Sequence, residues 1–90
     1  MNKAELVDEV VLYTGLTRTE SREAVNAIIS VITDSLVREE RVTLVGFGTF
    51  QVVQRKARRG RNPQTGQTIQ IPMKKVPKFV AGKKLREAVT

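Results

Sequence analysis

The chemistry of this chain is concentrated between residues 58 and 66, Arg58-Arg59-Gly60-Arg61-Asn62-Pro63-Gln64-Thr65-Gly66. Three arginines fill four positions, and a proline and a glycine follow at the spacing of a tight turn. Guanidiniums hold permanent charge and a planar fork of donors, which suits them to phosphate oxygens. Pro63 presets φ for the second residue of a turn, and Gly66 can take the positive φ that lets the chain return. Strand-like stretches flank the turn, Phe50 to Ala57 going out and Thr68 to Ile71 coming back. These features predict a two-stranded ribbon with a proline at its tip and cations along its stem. Such a ribbon is too polar to fold onto a core and is well made to hold a polyanion, with DNA the leading choice.

The rest of the chain must carry that ribbon. Net charge is +7 over 90 residues, but its distribution says more. Residues 1–40 carry four Lys/Arg against eight Asp/Glu, a net −4, while residues 41–90 carry twelve against Glu87 alone, a net +11. Solvated faces normally intersperse both signs, so this division reads as a binding surface on an acidic scaffold. Ninety residues make one domain with a thin core, and the absence of cysteine removes any disulfide that might staple it. Small scaffolds without staples often oligomerise. No apolar run is long enough to span a bilayer and no leader pattern is visible, so a cytoplasmic location without membrane contact is expected.

The elements follow from caps and periodicity. Asn2 and Glu5 have the spacing of a capping box and open a helix to about Tyr13 or Thr14, which Gly15 stops. Thr17 and Glu20 repeat the box and start a second helix to about Val37 or Arg38. On that helix Ala24, Val25, Ala27, Ile28, Ile29, Val31, Ile32 and Leu36 spread over about 200°, against the roughly 100° stripe of a surface helix. One half of the arc can cover the chain's own core, and the other half needs a second subunit, most simply in a two-fold dimer. After Arg41 the pattern turns strand-like, and Gly46-Phe47-Gly48 suggests a bend where backbones approach closely, with Phe47 and Phe50 as core anchors. Pro72 and Pro77 mark irregular edges, and Val80 to Val89 reads as a C-terminal helix. The fold class is α+β: two N-terminal helices, a three-stranded antiparallel sheet with an extended β-hairpin arm, and a short closing helix. As one domain, residues 1–40 form a helical base, 41–79 the sheet with the arm at about 54–72, and 80–90 the last helix.

Catalysis is not expected. Histidine and cysteine are absent, which removes the commonest general base, the commonest metal ligands and one nucleophile. Carboxylates lie almost wholly in the acidic half, and Ser21, Ser30 and Ser35 have no identifiable acid–base partner. Gly46-x-Gly48 lacks the third glycine and the strand–loop–helix setting of a phosphate loop; it reads as structural, with a backbone contact to a phosphate as the alternative. Neither a cofactor nor a metal is expected.

Several segments match a known family over the whole chain: Met1 to Val7, Gly15-Leu16-Thr17, Val45-Gly46-Phe47-Gly48-Thr49-Phe50, Gly60 to Gly66, and Pro77 to Leu85. In these the chain resembles the bacterial histone-like HU proteins, relatives of integration host factor. The resemblance implies an intertwined homodimer, or a heterodimer with a paralogue, whose two β-arms reach around duplex DNA through the minor groove. It implies that Pro63 is a wedge at a base step and that the protein bends and compacts DNA in the nucleoid. On matching positions Arg55, Arg58 and Arg61 would line the arm, and Asn62, Gln64 and Thr65 would flank the wedge. Lys3, Lys74, Lys75, Lys83 and Arg86 would meet the DNA backbone from the body. The dimer core would draw on Ile28, Ile29, Ile32, Leu36, Phe47, Phe50 and Phe79. There is one departure: the family usually has glycine in the turn between the second helix and the first strand, and Arg38-Glu39-Glu40-Arg41 has none.

Other readings stand beside this one. A site-specific bender of the integration host factor type would show a preference for its site above about a thousandfold. An RNA-binding protein is weakened by the lack of an aromatic stacking platform on the arm. A helix-turn-helix reader is weakened because the second helix is acidic or apolar where donors are needed. A preference for bent, nicked or gapped duplex is expected if Pro63 holds a base step open.

Overall fold

A computed structural model of the chain describes residues 1–55 and 58–90. The element order is α1 (Lys3–Thr14), α2 (Arg18–Val37), β1 (Val42–Leu44), β2 (Gly48–Arg55), β3 (Arg58–Arg61), β4 (Thr68–Ile71), β5 (Lys74–Ala81) and α3 (Lys83–Ala88). This is the expected α+β order. The chain divides into two compact units, Met1–Asp34 and Ser35–Thr90.

In the first unit the helix ends form as their residue types dictate. The Glu5 N–H donates to Asn2 Oδ1 at 2.9 Å, one arm of a capping box. Gly15 takes φ 71° and donates its N–H to the Val11 carbonyl, closing α1 with a left-handed residue. At the start of α2 the box is reciprocal: the Glu20 N–H donates to Thr17 Oγ1 at 3.1 Å, and the Thr17 N–H donates to Glu20 Oε1 at 3.0 Å. The bond from the Thr17 backbone N–H, aided by its hydroxyl, holds the Glu20 carboxyl below the usual carboxylate range. Arg18 pairs with Asp8 across the two helices. Val7 and Val25 are the buried apolar side chains among the described residues, and the Ser21 hydroxyl, one turn before Val25 on α2, is fully buried without a hydrogen-bond partner. Much of the apolar arc of α2 stays open: Ile28 is 59% exposed, Ile29 47% and Val31 63%.

The second unit is built on a three-stranded antiparallel sheet in the order β1-β2-β5, with a separate two-stranded ribbon β3-β4. Between β1 and β2 the Phe47 N–H donates to the Leu44 carbonyl, and Gly46 takes φ 85°, the positive value that the third residue of a type II turn requires. Gly48 then pairs with Ala81, so close to β5 that a Cβ there would lie 2.5 Å from the Phe79 ring and 2.6 Å from the Val80 carbonyl oxygen. The expected close approach is therefore real at Gly48, where the Phe79 ring and the Val80 carbonyl cause it, and milder at Gly46, where a Cβ would lie 3.2 Å from the Lys84 side chain. Phe79 stacks at a tilt against Phe50 and Phe47, with centroids 4.8 and 5.4 Å apart. Gly48→Ala is expected to lose about 1–3 kcal/mol of stability, on the order of 10 °C in melting temperature. A thermal melt matching the unsubstituted chain would show that Phe79 can move aside at little cost.

Two expectations need correction here. Pro77 does not mark an irregular edge; it sits inside β5, opposite Val52. That strand lies at the edge of the sheet, where a residue without an N–H is tolerated. The C-terminal helix does not begin at Val80. Val80 and Ala81 complete β5, and α3 begins at Lys83, after Gly82 has donated its N–H to the Phe47 carbonyl at 2.7 Å. Of the outgoing strand expected to reach Ala57, the last two residues, Lys56 and Ala57, lie outside the described residues.

The turn without glycine between α2 and β1 has its own solution. The Glu39 N–H donates to Leu36 O and the Glu40 N–H to Ser35 O, the paired bonds of a Schellman cap. Glu39 holds the left-handed position at φ 60°, where glycine is ordinary.

Candidate nucleic-acid interface

The ribbon is fixed by four cross-strand pairs: Arg58 with Ile71, Arg59 with Gln70, Gly60 with Ile69, and Arg61 with Thr68. Beyond them the tip is a single closed turn. The Asn62 N–H donates to the Gln67 carbonyl and the Gly66 N–H to the Asn62 carbonyl, both at 2.8 Å. Asn62 Oδ1 accepts from the Gln64 N–H at 2.9 Å, and Thr65 Oγ1 from the Gln67 N–H at 3.3 Å. This is the logic of a capped helical turn in miniature: Asn62 caps, Pro63 follows where its missing N–H costs nothing, and Gly66 ends the turn at φ 72°. Pro63, Gln64 and Thr65 are exposed at the extremity.

At the other end of the arm, cations meet across strands. Arg55 closes β2 directly opposite Lys74, and Gln54 stands opposite Lys75. Like charges directly opposite each other destabilise a sheet. The Arg55–Lys74 pair is therefore a place where an anion between the two cations would be favourable. Lys75 already has a partner, with its Nζ 2.7 Å from Glu39 Oε1. On α3 Lys83 lies 3.9 Å from Glu87, an exposed pair with little energetic weight, and Arg86 completes the last turn. Lys3 opens α1 and lines a shallow depression with Ala4, Val7, Arg18 and Arg22.

The fold thus sets Arg55 opposite Lys74 at the arm's base, with Lys75 on the next rung and the other face opposite Gln54, and places Asn62, Pro63, Gln64 and Thr65 at its tip. Arg61 lies between, beside the tip, and Lys83 with Arg86 forms a separate pair on α3. Lys3 belongs to the first unit. Of Arg58 the backbone pairing is described, while its side chain lies outside the described residues. The expected set of Arg55, Arg58 and Arg61 is spaced by three, whereas a strand repeats every two. Arg59 and Arg61 share one face, so Arg59 belongs with the candidate residues and was missed. The period-two rule alone was enough to find it.

A family model described as bacterial DNA-binding protein matches residues 1–90. The chain belongs to this family. As one of its members it is a DNA-binding protein and not an enzyme. DNA-binding protein HU of Lactococcus lactis is 52% identical over 88 residues, covering 98% of this chain and 97% of that protein. DNA-binding protein HU of Staphylococcus aureus (strain COL) is 51% identical over 89 residues, 99% of each chain. Among solved structures, a cocrystal of Anabaena HU with DNA matches with a TM-score of 0.90 at 43% identity, covering 100% of this chain and 98% of that one. HU from Thermotoga maritima matches at a TM-score of 0.72 and 32% identity over 100% of both chains. These findings bear out the resemblance and the α+β fold read from the sequence. Among the described residues of this HU-family chain no helix is long and apolar enough to cross a membrane.

Proposed function

We propose that the protein is an architectural DNA-binding dimer that bends duplex DNA with little sequence preference. The observation that carries this reading is the tip: an exposed proline held on a closed, capped turn, with Arg61 and Arg59 immediately behind it. A rigid apolar ring on a cationic stem is what unstacking a base step from the minor groove requires. The arms enter the minor groove, Pro63 wedges a step, and Asn62, Gln64 and Thr65 contact its surroundings. Arg55, Arg58, Arg59 and Arg61 follow the phosphates and the narrow groove, and Lys3, Lys74, Lys75, Lys83 and Arg86 hold the flanking backbone. That a structurally similar HU was crystallised with DNA supports the same class of partner for this chain.

Two copies make the binding unit. The open arc of α2, with Ile28, Ile29, Ile32 and Leu36, and the part-exposed Phe47 and Phe79 beside Phe50, supply the apolar surface for a homodimer. Residues 1–40 serve mainly as its base, and the protein acts in the nucleoid. Because unstacking costs a few kcal/mol per step, duplexes already bent, nicked or gapped are preferred.

Binding is measured as a function of salt. Log K falls with log salt at about −0.9 per phosphate neutralised, and Arg61→Ala, which removes one cation from each arm, makes that slope shallower. Affinity for unrelated duplexes falls in parallel, because phosphates carry no sequence information. An unchanged slope would show that Arg61 does not reach phosphate.

A further inference from the structure

We propose that Glu39 is an internal competitor for Lys75, occupying its ammonium in the free protein and thereby setting how strongly the base of the arm takes DNA. The proposal rests on the DNA-binding reading above. Three elements converge at this point: the cap of α2 supplies Glu39, β2 supplies Gln54, and β5 supplies Lys75 opposite Gln54. Glu39 Oε1 lies 2.7 Å from Lys75 Nζ, and both side chains are about half exposed, so a phosphate can reach the lysine and displace the carboxylate. Lys75 first, and Gln54 to a lesser degree, hold the Glu39 carboxyl below the usual carboxylate range, which keeps it charged. The neighbouring Glu40 is engaged by Arg38, leaving Glu39 as the carboxylate on Lys75.

The backbone shows that this is more than a passing surface contact. Among the described residues Glu39 is the non-glycine residue at positive φ, and its position is set by two capping bonds. A left-handed conformation costs a residue with a Cβ what glycine would avoid. The chain thus carries a carboxylate at a site where glycine would be easier, and aims it at a cation of the proposed interface.

The test is duplex binding by the full-length protein at two salt concentrations. It compares the unsubstituted chain, Glu39→Gln, Glu40→Gln, Lys75→Ala and the Glu39→Gln/Lys75→Ala double variant. Glutamine keeps the side-chain length and the backbone demand and removes only the charge. Glu39→Gln is expected to bind about two- to fivefold more tightly at low salt, the range of an exposed ion pair. The gain shrinks at high salt, where screening already weakens the internal pair. Lys75→Ala binds more weakly, and in its background Glu39→Gln brings no gain. Unchanged binding by Glu39→Gln, an equal gain in the absence of Lys75, or an equal gain from Glu40→Gln would each overturn the proposal. If Arg61→Ala still weakens binding in those cases, the DNA-binding reading stands and the proposal alone fails. If neither Arg61→Ala nor Lys75→Ala weakens binding, both fall together.

Discussion

Replacing Ile28 by aspartate is expected to abolish folding and dimerisation in a single step. Within one chain Ile28 is 59% exposed, so on a protein that worked alone the change would be a surface substitution worth about half a kcal/mol or less. In a dimer closed over the open arc of α2 the same carboxylate is buried without a partner, at a cost of several kcal/mol. Total stabilities lie at about 5–15 kcal/mol, and a single chain with so few buried apolar residues has little in reserve. Helical circular dichroism and the dimer mass in sedimentation equilibrium should therefore disappear together at micromolar concentration. A variant as folded as the unsubstituted chain, or an unsubstituted chain that is a folded monomer under those conditions, would refute the dimer.

Pro63→Ala is expected to reduce DNA bending while leaving the electrostatic part of binding intact. Proline has no charge, so the salt slope should stay at its original value. The turn itself should survive, since its closure depends on Asn62, Gly66 and Gln67. What is lost is a rigid ring able to hold a base step open, an action that costs a few kcal/mol in intact duplex. Energy transfer between the two duplex ends should report a smaller bend. The deficit should be greatest on intact DNA and least on nicked or gapped DNA, where stacking is already interrupted. Equal bending by the two proteins would reduce Pro63 to a turn former.

Where local chemistry settles the structure, the sequence was readable. Thr17 with Glu20 and Asn62-Pro63 with Gly66 each specify their bonds within a few residues, and the structure forms them. The third strand of the sheet was harder to place, because Pro77 and three lysines break the usual strand signature. Those residues are acceptable only on an edge, and edge position is a property of the whole sheet. The start of α3 was misplaced for a similar reason: Val80 and Ala81 fit a helical pattern, but pairing with Thr49 and Gly48 claims them for β5. Arg59 was overlooked although the sequence alone could have shown it, since strand periodicity separates it from Arg58 and joins it to Arg61. The position of Glu39 could not be read from composition, because a glutamate at positive φ contradicts its own propensity.

The pinned register at Gly48 also bears on how such an arm can change over evolutionary time. From the Gly48–Ala81 pair to Arg55–Lys74 every position is matched, and side chains alternate between faces at each step. Inserting a single residue into one strand would turn over every side chain beyond it, exchanging the cationic and opposite faces of the ribbon. Lengthening compatible with the same function must add residues in pairs, on both strands at once. The arm can thus grow or shrink in quanta of two rungs, about 7 Å each, and a lineage that varies its reach should do so in matched, even-numbered insertions.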